Sequence, residues 1–138
     1  MNETLSPRRV VELYFDALNS QDWSGIEALV APDYQHHSNG YDFNVEEFRA
    51  RTSWLMNGIH GLHIETRAVV CEGDEVAVRW IASGVHNGSL NGERPTARSV
   101  TFPGITMFHV ENGRVVEDWQ TFDTRHLYVQ LSQFATFG

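Results

Sequence analysis

The two hydrophobic periods of this chain are segregated, and that segregation limits what it can fold into. Helical spacing dominates the first 58 residues, and period-two alternation dominates residues 63 to 123. Ser6-Pro7 reads as a helix N-cap followed by proline in the first turn, after which Val10, Leu13, Tyr14, Ala17 and Leu18 recur at helical spacing. A second short helix is predicted from Trp23 to Val30, stopping before Pro32, and the stretch from Asp33 to Tyr41 reads as a short extended segment and loop. Asn44, with Glu47 three residues on, has the pattern of a capping box for a third helix, closed by Gly58 and Gly61.

Strands are predicted over His63 to Cys71, Glu75 to Val85, Ser99 to Val110 and Val115 to Asp123. Pro103-Gly104 reads as a bulge or kink in the third of these, and Leu127 to Phe134 as a last short helix or tail. Helices followed by an antiparallel meander give an α+β fold, with the helices on one side of a strongly curved antiparallel sheet. Such a sheet encloses a cone-shaped cavity suited to a small molecule. The length, 138 residues, fits one domain spanning 1–138.

Charge and composition narrow the partners. A net charge of -8 argues against nucleic acid or an anionic membrane surface. No apolar run reaches the length of a membrane span, and the N-terminus lacks the order of a signal peptide. All 10 basic residues are arginine, which excludes a Schiff-base or phosphate-loop lysine. Cys71 is the only cysteine, so no intrachain disulfide forms and a cytoplasmic location fits. The seven histidines include neither a His-x-x-x-His pair nor a cysteine cluster, so no metal site is expected.

The last strand is unusual. One face carries Val115, Glu117, Trp119, Thr121 and Asp123, the other Val116, Asp118, Gln120 and Phe122, and neither is a clean apolar stripe. The segment containing it, with Gly84, His86, Gly88, Gly92, Pro95-Thr96, Arg98, Gly104, Gly113, Glu117, Trp119 and Asp123, resembles the SnoaL-like polyketide cyclases. The stretch Asp33-Tyr34-Gln35-His36-His37 is similar to that family's Asp-Tyr-x-x-His segment. The resemblance implies a nuclear transport factor 2-like cone and a homodimer formed through the outer sheet face. It also implies an intramolecular aldol closure of a small, largely apolar carbonyl compound, run by general acid/base catalysis without a cofactor. The acid closing the last strand, here Asp123, would then be the base, with His109 as its polar partner. Trp119, His37, Tyr14, Thr121, Met107 and Trp54 are the candidate lining residues.

Each assignment has a plainer competitor. Asp123 also suits an N-cap for the tail that begins at Thr124. His36 and His37 are neighbours, so an extended segment points only one of them inward; His37 has the better family match. His86 suits a role in ordering the loop after it. If Asn112-Gly113 is a two-residue turn, His109 pairs with Val116; if Glu111-Asn112-Gly113 is a three-residue turn, His109 pairs with Val115 and shares the face of Asp123. Limonene epoxide hydrolase chemistry would need an acid where Arg79-Trp80-Ile81 has none, and ketosteroid isomerase chemistry a base where the chain reads His36-His37-Ser38. A ligand-binding module without catalysis, or a hydrolase or hydroxylase on the same scaffold, remains the alternative reading.

Overall fold

The computed structural model describes residues 4–131 apart from 91 and 93. Ser6 caps α1 (Pro7–Asn19) by accepting from the Arg9 amide. Asp22 caps α2 (Trp23–Leu29), and Asn44 and Glu47 close a reciprocal capping box on α3 (Val45–Gly58). The strands are β1 (Val30–Ser38), β2 (Tyr41–Phe43), β3 (Ile59–Glu72), β4 (Glu75–His86), β5 (Ser99–Glu111) and β6 (Arg114–Phe122), and α4 (Thr124–Leu131) follows.

One six-stranded sheet runs in the order β2-β1-β6-β5-β4-β3. Four strands form the expected antiparallel meander. β1 departs from that pattern, for it pairs in parallel with β6. The stretch expected as a short extended segment and loop is thus a nine-residue strand. It turns at Asn39-Gly40, where both residues have positive φ, and the Asn39 side chain bonds both backbone groups of Phe122.

Alternation along β5 is complete over its middle: Val100, Phe102, Gly104, Thr106 and Phe108 are buried, and the residues between them are exposed. The helices cover that buried side. Val10, Tyr14, Phe15, Ile26 and Phe48 pack onto Val76, Val78, Phe108 and Val115 in one core. Pro103-Gly104 makes no bulge, because pairing with β4 runs through it without a shift. Gly104 serves another purpose. A Cβ there would lie 2.1 Å from Cζ2 of Trp80, so the missing side chain is the space that the indole occupies.

The β5–β6 hairpin has the two-residue turn, with φ of 52° at Asn112 and 75° at Gly113. Val110 pairs with Val115, but a bulge follows and His109 pairs with Glu117. Neither predicted register contains that extra residue, but it leaves His109 on the face of Glu117, Trp119 and Thr121, as the three-residue turn implied. The last helix starts at Thr124 rather than Leu127; the part of the expected helix beyond Leu131 lies outside the described residues.

Candidate active site

The parallel β1–β6 ladder sets His36 directly opposite Asp118. Both side chains point into the cone, and Asp118 is fully buried. A carboxylate out of water needs hydrogen bonds to all its reachable lone pairs. Asp118 has two: Oδ1 lies 2.5 Å from His36 Nδ1, and Oδ2 accepts from the Tyr34 hydroxyl at 2.5 Å. The Tyr14 hydroxyl stands 3.4 Å behind that of Tyr34. Burial, then the Asp118 charge, raises Tyr14 well above the usual phenol range. Burial, then Tyr14 and Asp118, does the same to Tyr34, so both phenols stay protonated and act as donors.

Phe48 of α3 closes over this group, its ring 4.4 Å from that of His36 and stacked on Tyr14 at 6.2 Å. With Nδ1 turned toward Asp118, the remaining ring nitrogen, Nε2, has no partner among the described residues, and His36 lines a cavity of about 240 Å³. The walls of that cavity include Phe43, Phe48, Leu55, Phe122 and Leu127, with Arg51 and Tyr41 exposed at the rim. A smaller chamber of about 60 Å³ adjoins it through Phe48, Thr52, Leu55, Gln120 and Phe122 and ends on Trp80 and Phe102.

A wider groove of about 500 Å³ lies between α1 and β3. Its titratable residues, Arg8, Arg9, Glu12, Asp16, His63 and Glu65, are all exposed, so it holds no desolvated group to do chemistry.

Of the residues predicted from sequence, Tyr14 sits in the buried cluster and Trp54 lines the cavity. The others lie on the opposite side of the sheet. Asp123 is exposed and caps α4, its Oδ1 accepting from the His126 amide at 2.9 Å. That is the plainer of its two sequence readings. His109 stands between Glu75, 2.6 Å from Nδ1, and Glu111, 3.2 Å from Nε2. Glu75, then Glu111, raises its pKa. His37 bridges Asp42 and Glu117 and stacks on Trp119 at 5.6 Å, and Asp42, then Glu117, raises its pKa. Met107, Trp119 and Thr121 are exposed there.

The structure therefore separates Asp123 from the cavity and brings His36, Tyr34 and Asp118 to it. The sequence carried a signal for them: a carboxylate at the middle of the half-apolar face Val116-Asp118-Gln120-Phe122, and a pair of histidines of which one had to face inward. His86 is buried and holds its loop, accepting from the Thr96 amide at Nδ1 at 3.2 Å. Among the described residues no group of three His, Cys, Asp or Glu side chains is placed to hold a metal ion. Among the described residues no helix is long and apolar enough to cross a membrane.

A curled six-stranded mixed sheet with helices packed over one face is the nuclear transport factor 2-like cone fold. The chain belongs to the SnoaL-like polyketide cyclase family, whose model matches residues 8–131. It is similar to the structure of IdmH from Streptomyces antibioticus, provisionally described as a polyketide cyclase. The two are 26% identical over 92% of this chain and 99% of that one, with a TM-score of 0.85. It is also similar to AclR from Streptomyces galilaeus, provisionally described as a hydroxylase, at 26% identity over 91% of this chain and 80% of that one, with a TM-score of 0.83. An uncharacterised protein of Schizosaccharomyces pombe is 23% identical over 96 residues, 70% of this chain and 68% of that one.

Proposed function

We propose that the chain is an enzyme that cyclises or isomerises a compact, apolar carbonyl compound by general acid/base catalysis, with His36 as the proton carrier. The observation behind this reading is the geometry of one side chain: His36 is buried, held by Asp118 through Nδ1, and free at Nε2 toward an apolar cavity. Asp118 as acceptor at Nδ1 leaves the lone pair on Nε2 and stabilises the imidazolium formed when Nε2 takes a proton. Tyr34, donating to the other carboxylate oxygen, keeps Asp118 from turning away.

The reaction balances without an oxidant. Nε2 takes a proton from a carbon beside a carbonyl, the enolate carbon bonds to a second carbonyl carbon, and the new alkoxide takes the proton back. The two relatives of equal identity carry different descriptions, a cyclase and a hydroxylase, so the choice rests on the site rather than on the likeness. A cavity of about 240 Å³ lies below the range of roughly 300–1,000 Å³ usual for drug-sized ligands, which favours a small substrate of one or two rings. The exposed apolar side chains Ile105, Met107 and Trp119 on the outer face support pairing of two chains there.

The test is hydrogen–deuterium exchange at the α-carbon of 2-tetralone, a small ketone that enolises readily, followed by NMR. The native protein is expected to accelerate exchange and His36→Gln to lose the acceleration. Equal rates for the two proteins would sink the reading.

A further inference from the structure

Beyond its base, such a site needs a donor for the oxygen on which negative charge develops. The cavity contains a polar chain that ends in one. The Trp80 indole N–H, 2.9 Å from Thr106 Oγ1, has donor capacity only. Thr106 therefore accepts there, and its single hydroxyl proton points onward to Gln120 Oε1 at 3.4 Å. Trp80 and Thr106 are buried, so no bulk water competes to reverse the direction. Since the amide oxygen of Gln120 is taken by Thr106, its Nε2 must be the end that faces away, toward Ser38 Oγ at 3.4 Å and the cavity. The indole takes one lone pair of Thr106, and the donation from Thr106 to Oε1 together with that from Nε2 to Ser38 holds the amide with its N–H end toward the cavity.

Gln120 is two residues along β6 from Asp118 and pairs with Ser38, as Asp118 pairs with His36. Base and amide therefore project from neighbouring positions of one ladder into the same space. Gln120 lines both the main cavity and the inner chamber.

We propose that Gln120 is the oxyanion-binding residue of this site, donating from Nε2 to the enolate oxygen, and that Thr106 and Trp80 are positioning residues that hold its amide in the donating orientation. The proposal rests on the reading of His36 as the base, and names the partner that base requires. When His36 takes the α-proton, the electron pair moves onto the carbonyl oxygen, and Gln120 meets that oxygen with an N–H already aimed at it. When the enolate carbon bonds to the second carbonyl carbon, the first carbonyl re-forms and the same donor releases it as a neutral group; the proton on His36 then goes to the new alkoxide.

The probe is 4-nitrophenol, small enough for the cavity, whose absorbance reports its own ionisation when bound. The native protein is expected to bind the phenolate in preference to the phenol. Gln120→Leu and Thr106→Val should each lower that preference about tenfold, the loss of one hydrogen bond to a charged oxygen. Gln120→Glu, which keeps the shape and replaces the donor by an acceptor, should reverse it. Thr106→Ser keeps the relay hydroxyl and should restore the native value, which a loss of packing alone would not do. The side-chain amide signals of Gln120 should shift on adding the probe to the native protein and to Thr106→Ser.

An unchanged phenolate preference in Gln120→Leu, or none in the native protein, overturns the role of Gln120. Equal behaviour of Thr106→Val and Thr106→Ser overturns the relay. Failure here with ketone exchange still lost in His36→Gln leaves the base assignment standing. The converse pattern, an altered phenolate preference with ketone exchange unaffected by His36→Gln, removes the base and keeps the oxyanion site.

Discussion

His36 and Asp118 are partners across the parallel β1–β6 ladder, Nδ1 to Oδ1 at 2.5 Å, with both side chains almost wholly out of water. A pair like this contributes little net stability while intact, yet either member alone is a liability. Asp118→Ala would leave the His36 Nδ1 and the Tyr34 hydroxyl buried without their acceptor. It is expected to destabilise the fold by about 3 kcal/mol or more, read as a shift of the urea midpoint. Asp118→Asn keeps the shape and should cost less stability while still abolishing ketone exchange. Equal exchange in the native protein and Asp118→Asn would show that the carboxylate does not act through His36.

Asp123 divides the two readings of this chain most sharply. As the cap of α4 its replacement by alanine should cost about 1 kcal/mol, seen in thermal unfolding, and Asp123→Asn should recover most of it. Because α4 supplies Leu127 to the cavity wall, ketone exchange should drop severalfold at most. A collapse of exchange in Asp123→Asn, with the fold intact, would return Asp123 to the role of base.

On the outer face His109 has a raised pKa because Glu75 and Glu111 flank it. A histidine whose native pKa lies above its unfolded one contributes stability that is complete below the unfolded value, about 6.5, and is lost as pH rises through the raised native value. His109→Gln should therefore lower the urea midpoint near pH 6 and leave it unchanged near pH 9. The side chain is partly exposed, so the effect should stay below about 1 kcal/mol. A larger loss at high pH than at low pH would refute the assignment of the shift to the two glutamates.

Gly104 gives a prediction about packing that reaches the site. A methyl group at this position would overlap the Trp80 ring, and crowding of this kind usually costs about 1–3 kcal/mol. Gly104→Ala should lower the melting temperature and alter tryptophan fluorescence. It should also reduce phenolate preference, because a displaced indole no longer donates to Thr106. A variant with native fluorescence and native stability would mean that the backbone yields there without moving Trp80.

Much of this was legible in the order of residues. Ser6, Asn44 and Glu47 cap helices because short polar side chains reach nearby backbone amides, a local matter that needs no tertiary contact. Alternation in β5 and β6 likewise sorted Asp118, Gln120 and Phe122 onto one face and Glu117, Trp119 and Thr121 onto the other.

Which face is the inside is not a local matter. Period two treats the two faces alike, and on β6 both carry an acid and an aromatic ring, so the pattern has no preferred sign. The sign is set where α1 and α3 bring Tyr14 and Phe48 against the sheet. It is set again where β1, more than 75 residues earlier in the chain, joins β6 in the register that puts His36, and not His37, beside Asp118. The bulge after His109 adds one residue that neither turn geometry implied, and it places His109 outside with Glu117. The sequence by itself determined the elements, their caps and the set of residues sharing each face. Only the tertiary structure decided which set the helices would cover, because burial depends on long-range packing that a period of two cannot encode.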